Sequence, residues 1–148
     1  MIDFKFIRKE NEDERSLKGT IFHDENRYTP KNEKIPWHLI IYFRNIPIGV
    51  ASFLEIDPET FEIYDIGVKE EFRHHKVGSY ILKFIGTKVK DLGGRYLEIY
   101  SPIELKTFFM KNSFKDIDNG EVVFLHGSPY LKLSSFLYQN SKYKRKRY

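Results

Sequence analysis

The sequence predicts an α/β domain built on one mixed, mostly antiparallel central sheet flanked by helices. Three observations lead there. Strand-like runs dominate and follow one another across short turns. Amphipathic helical stretches interrupt them. One of those helices joins two apolar strands, which must then run parallel.

Taken in order, "FKFI" (4–7) alternates as a short strand. Residues 11–26 are charged, with Leu17, Ile21 and Phe22 at helical spacing, which predicts a partly exposed helix. "NRYTPKNEKIP" (26–36) reads as a loop. "WHLIIYF" (37–43) and "IGVASFLEI" (48–56) flank the turn "RNIP" (44–47) as a hairpin, with Trp37, Tyr42 and Phe53 as its core residues. After the turn "DPET" (57–60), "FEIYDIGV" (61–68) is a third strand, antiparallel to its neighbour. Val77, Ile81, Leu82, Ile85, Val89 and Leu92 then share one helical face, closed by Gly93-Gly94. "RYLEIY" (95–100) follows as the parallel strand. "SPIELKTFFMKNSF" opens a second core helix, with Ser101 as N-cap, Pro102 at the first position, Glu104 completing a capping box, and Leu105, Phe108 and Phe109 facing the core. "FKDI" and "EVVFLH" close the order as a hairpin around "DNG". The result is β-α-β-β-β-α-β-α-β-β.

The 148 residues, 41% of them hydrophobic, suffice for the core of a single domain, expected over 1–141. No apolar run is long enough to span a membrane, and the charged start "MIDFKFIRKENEDE" is not a secretory signal, so a cytoplasmic protein is expected. The absence of cysteine excludes disulfides, thiolate metal sites and a cysteine nucleophile. The net charge of +4 is a property of the tail at 142–148. Without its five cations, 20 basic residues stand against 21 acidic ones. Such a tail reads as a solvated end before it reads as a nucleic-acid arm.

Chemistry concentrates at "EFRHHKVGSYIL" (71–82), where Arg73, His74, His75 and Lys76 gather just ahead of a helix. A helix start offers unpaired N–H groups and the positive end of a dipole, so an anion, phosphate above all, is the natural guest. Neither GxGxxG nor GxxxxGK[ST] is present. Neighbouring His74 and His75 diverge on any regular backbone, so no metal site is expected there.

The stretch resembles the acyl-CoA site of the GNAT superfamily of N-acyltransferases, whose signature [RQ]-x-x-G-x-[GA] follows a strand and opens a helix. Arg73, Val77 and Gly78 match it, Lys76 replaces its first glycine, and His74 stands where glycine is also common. "IYDIGVKEEFR" is similar to the family's fourth strand and exit, and "FFMKNSFK" (108–115) to its "LYEKLGFK" segment. The element order over 4–126 agrees.

The resemblance implies acetyl-CoA as co-substrate, without a metal. Its pyrophosphate would rest on backbone N–H groups of His74, His75, Lys76, Val77, Gly78 and Ser79, with Arg73 adding charge. Its pantetheine arm would pair with the backbone of Ile66, Gly67 and Val68, where Gly67 suits a β-bulge. The lysine at 76 would strain a left-handed backbone by about 1 kcal/mol. Glu62 would serve as general base, with Asp65 second. Glu62, Tyr64 and Ile66 share one side of a regular strand and Asp65 the other. A backbone N–H near Val68 would meet the oxyanion. Phe109 stands where many members have a proton-donating tyrosine, so Tyr100 or Tyr64 would substitute. Ser101 stands where the family often has a cofactor-contacting asparagine.

Glu55, Asp57, Glu59, Glu62 and Asp65 suggest an acidic rim for a cationic acceptor, or only a solvated hairpin tip. The acceptor is expected to be a small-molecule or peptide amine. A homodimer is left open. Two other readings stay open: a coenzyme A-binding domain without catalysis, and a nucleic-acid-associated adaptor using the tail.

Overall fold

The computed structural model describes residues 2–22, 30 and 33–137. The basic tail, the end of the expected 11–26 helix and most of the 26–36 loop lie outside the described residues.

The chain runs β1 (Ile2–Ile7), α1 (Glu12–Ile21), β2 (Trp37–Phe43), β3 (Ile46–Asp57), β4 (Thr60–Val68), α2 (Val77–Asp91), β5 (Tyr96–Pro102), α3 (Lys106–Lys111), β6 (Lys115–Asp116), β7 (Val122–Leu125) and β8 (Ser128–Phe136). One sheet holds all eight strands in the order β1-β2-β3-β4-β5-β8-β6, with β7 also on β8. Every pairing is antiparallel except β4 with β5. The α/β reading, the mixed sheet and the parallel pair are therefore as the sequence indicates.

The core lies between the sheet and α2. Val77, Ile81, Ile85 and Val89 face Leu39, Ala51, Phe53, Ile63, Leu97 and Ile99. Each fully buried aliphatic chain contributes about 1.5–3 kcal/mol over its exposed state. Gly93, at φ 91°, ends α2, and the Gly94 N–H donates back to the Val89 carbonyl at 2.8 Å. On the opposite face α1, capped by the Asn11 side chain, lays Leu17 and Ile21 against Val50.

Several local expectations fail for identifiable reasons. The ladder of "FKDI" with "EVVFLH" does not form. β6 and β7 both pair with β8, a strand over 128–136 that completes the sheet beside β5. Ser101 is not an N-cap, because β5 runs on through Pro102 and a 3-10 turn (Ile103–Leu105) precedes α3. Its hydroxyl donates to the Pro102 carbonyl at 2.8 Å, and Leu105 is exposed. Gly67 is in register with Val50 rather than bulged. Its need for glycine comes from α1, since a Cβ there would lie 2.6 Å from Ile21 Cγ2.

Candidate active site

The parallel β4–β5 ladder is short. It pairs Thr60 with Tyr96 through Ile63 with Ile99 and then stops. β4 continues to Val68 and β5 to Pro102, but their outer partners are β3 and β8. The two central strands thus splay, leaving the β5-facing backbone edge of 64–68 without a partner strand among the described residues. Ile66 and Val68 keep their side chains against the core while that edge lies open.

The opening leads to the start of α2. A 3-10 turn (Glu70–Phe72) carries the chain off β4, and the Arg73 Nε donates to the Val68 carbonyl at 3.0 Å. Arg73 therefore pins the loop to the strand end. His74 and Lys76 both have left-handed backbones, at φ 68° and 63°. Lys76 is the residue at the helix N-cap and makes no side-chain cap. The first N–H of this helix that finds an acceptor is that of Tyr80, on the Lys76 carbonyl. Among the described residues no acceptor meets the N–H groups of His74, His75, Lys76, Val77, Gly78 or Ser79. A helix start with donors that meet no acceptor favours an anion. Gly78 packs closely on α3, because a Cβ would come 2.9 Å from Phe108 Cζ.

The register also settles which strand residues share a face. Ser52 pairs with Asp65 and Phe53 with Ile63, so β4 carries one extra residue, Tyr64. That bulge turns Asp65 onto the same side as Glu62, against the strict alternation expected from sequence. The fate of the two carboxylates still differs. Asp65 is tied into a buried cluster under α1. Lys18 Nζ lies 3.2 Å from Asp65 Oδ2, 2.9 Å from Glu14 Oε2 and 2.9 Å from Ser52 Oγ, and His38 Nδ1 is 2.7 Å from Glu14 Oε2. Burial pushes the Glu14 carboxyl up, but hydrogen bonds from His38 and Lys18 outweigh it and hold the group below its ordinary value. Burial likewise pushes Lys18 down, and Asp65 with Glu14 more than reverse it. Glu10, Glu14 and His38 bring three potential ligand atoms within 4.8 Å of one another, yet the Lys18 ammonium, 3.4 Å from Glu10 Oε2, already neutralises that corner.

Glu62, 4% exposed, lies further along β4, opposite Glu98 of β5. Lys132 of β8 stands 3.6 Å from Glu98 and 5.3 Å from the Tyr100 ring centre. Burial pushes the Lys132 ammonium down, but Glu98, Tyr100 and Glu62 together hold it above its ordinary value. Glu62, Glu98, Tyr100 and Lys132 thus form one electrostatic group beside the splay. The expected acidic rim does not exist as a unit. Glu55 pairs with Lys34, Asp57 accepts from the Glu59 N–H within the hairpin turn, and Glu62 and Asp65 are buried.

Two sets of residues escaped sequence reasoning. Glu14 and Lys18 fall at i, i+3, i+4, i+7 spacing with Leu17 and Ile21, so the inner stripe of α1 was readable had charges been allowed on it. Lys132 sits between Leu131 and Leu133, whose alternation signals β8.

The sequence profile of the acetyltransferase (GNAT) family matches residues 5–104. The chain belongs to this family. No curated protein matches it in sequence. Among solved structures, the chain is similar to a GNAT family acetyltransferase from Elizabethkingia anophelis with acetyl-CoA bound, at 16% identity and a TM-score of 0.69, over 91% of this chain and 97% of that one. It is similar to a Bacillus subtilis acetyltransferase in complex with CoA, at 19% identity and 0.69, over 93% and 100%. It is also similar to Escherichia coli ElaA, at 17% identity and 0.70, over 91% and 99%. At these identities the likeness is one of fold. The GNAT domain departs from its signature at Lys76, yet the backbone there takes the left-handed turn that a glycine would make freely. Ser113, in the "FFMKNSFK" segment, does the same at φ 72°. Phe109 is fully buried, edge-on to Phe108 and Phe114.

Proposed function

We propose that the protein is an N-acetyltransferase that moves an acetyl group from acetyl-CoA to a primary amine. The observation that carries the reading is the end of the β4–β5 ladder at Ile63 and Ile99, with an open strand edge leading from it toward six N–H groups at 74–79 that meet no acceptor among the described residues. A diphosphate fits the N–H cradle, with the Lys76 ammonium adding positive charge at its rim. The open edge of Ile66, Gly67 and Val68 suits an extended arm with two amides, which would add to the sheet as a strand does.

The reacting carbon would then lie near the start of the splay. Glu62 takes the proton from the ammonium form of the acceptor, so that the amine nitrogen can attack the thioester carbonyl. A backbone N–H of the bulged stretch between Tyr64 and Ile66, rather than one near Val68, meets the charge developing on the carbonyl oxygen. As the carbon–sulfur bond breaks, Tyr100 donates its phenolic proton to the leaving thiolate. Lys132, held cationic between Glu98 and Tyr100, assists by stabilising the phenolate left behind.

Incubation with acetyl-CoA and a panel of amines, with a thiol reagent reporting free coenzyme A, tests the reading. Amine-dependent thiol release supports it. Coenzyme A binding without release under any amine would favour a binding domain that does not catalyse, for which buried Phe109 is the argument.

A further inference from the structure

β1 is the outermost described strand of the sheet on its side, so among the described residues one edge of Ile2–Ile7 has no partner strand. Such an edge is a template for another strand. Asp3, Phe4 and Lys5 are all exposed on it. Neither Asp3 nor Lys5 has an ion-pair partner among the described residues. Phe4 is 48% exposed although its ring stacks on Phe84 of α2 at 4.2 Å, and Tyr80 beside it is 41% exposed. An open groove of about 670 Å³ begins at Ile2, Tyr80 and Phe84 on this border and runs inward past Phe43 and Ile48 to His75 at the start of α2.

We infer that this edge docks a second copy of the chain, β1 against β1 in antiparallel fashion about a two-fold axis at Phe4. The sequence "IDFKFI" is self-complementary in that one register. Phe4 then faces its own copy, Ile2 faces Phe6, and Asp3 faces Lys5 twice. Directly opposed residues of an antiparallel pair share a face, so the apolar set stays on the α2 side and both ion pairs on the other. Each residue also faces one of the same parity, so the outward backbone donors and acceptors meet whichever set of residues points out. The neighbouring registers bring Asp3 against Asp3 or Lys5 against Lys5. Charge thus selects one pairing and rejects the slips on either side. A two-fold axis makes the contact closed, so it yields a dimer and not a fibre. The strand alone is small for a stable interface; the exposed rings of Phe4 and Tyr80 and the groove beside them add apolar surface to it.

Sedimentation equilibrium of the full chain tests this. The wild-type protein is expected as a dimer at high micromolar concentration. Asp3→Lys and Lys5→Asp each replace two attractive pairs by two repulsive ones and should weaken association by about tenfold or more. The swap Asp3→Lys with Lys5→Asp restores it. Mixing the two single variants restores it as well, because one chain then carries two lysines against two aspartates. Circular dichroism confirms that each exposed-site variant remains folded. A monomeric wild type, single variants that dimerise as well as it does, or a mixture that stays monomeric each overturn the proposal. The last two outcomes would leave this edge to some other partner.

Discussion

Lys18 on α1 places its ammonium 3.2 Å from the Asp65 carboxylate on β4, with both side chains almost wholly buried. Two residues beyond Asp65 the strand reaches Gly67, in the segment that borders the splay. The pair therefore fixes α1 against the strand that shapes the candidate site, and it withdraws Asp65 from service as a free base. Removing one partner of such a pair leaves the others uncompensated. Lys18→Met should destabilise the fold by about 3–5 kcal/mol, read as a lowered urea midpoint.

The same cluster sets a pH window. Glu14 is held below its ordinary value of 4.5, so its contribution is complete above that pH and is lost as pH falls through the folded value. Lys18 is held above 10.5, so its contribution is complete below that pH and is lost as pH rises through its folded value. Melting temperature should therefore fall at both extremes. Glu14→Gln should flatten the acid limb relative to wild type, and an unchanged acid limb would show that the carboxylate is not held there.

Lys76 occupies a left-handed backbone at φ 63°. A β-branched residue tolerates that region worse than lysine does, and glycine tolerates it freely. Lys76→Val should cost about 1–2 kcal/mol, whereas Lys76→Gly should be no less stable than wild type in thermal melts. Equal destabilisation by both would mean that the lysine side chain, and not the turn, matters.

Glu62 and Tyr100 can be separated from binding. Glu62→Gln should lower kcat by about 10²–10⁴ at neutral pH while leaving the dissociation constant of coenzyme A within a factor of about two, since the residue is asked to act on the amine alone. Tyr100→Phe should lower kcat less, because a thiol leaves tolerably as its anion. A loss of coenzyme A affinity in Glu62→Gln would assign Glu62 to the architecture of the cleft.

The residues explain which parts of this arrangement could be read in advance. The helix over Val77–Asp91 and its parallel neighbour β5 were legible because a strict 3.6-residue stripe and an apolar strand repeat the same instruction at every position. The helix start at Val77 was legible from the amphipathic run that follows it, whereas the left-handed turns at His74 and Lys76 were not, since lysine in particular disfavours that region. β8 was missed because Ser128–Phe136 mixes serine, proline and lysine with its alternating leucines. The face shared by Glu62 and Asp65 was hidden by one extra residue, Tyr64, whose bulge depends on pairing with β3 and leaves no local trace. The buried charges of Glu14 and Lys18 were passed over because charged side chains ordinarily mark the solvent side of a helix.

The most direct test of the central claim is calorimetric titration of the protein with coenzyme A and, separately, with pantetheine. If the N–H groups at 74–79 receive a diphosphate, coenzyme A binds at one site and pantetheine, which lacks the phosphates, binds at least about tenfold more weakly. No saturable binding of coenzyme A, or equal affinity for the two compounds, would contradict the account.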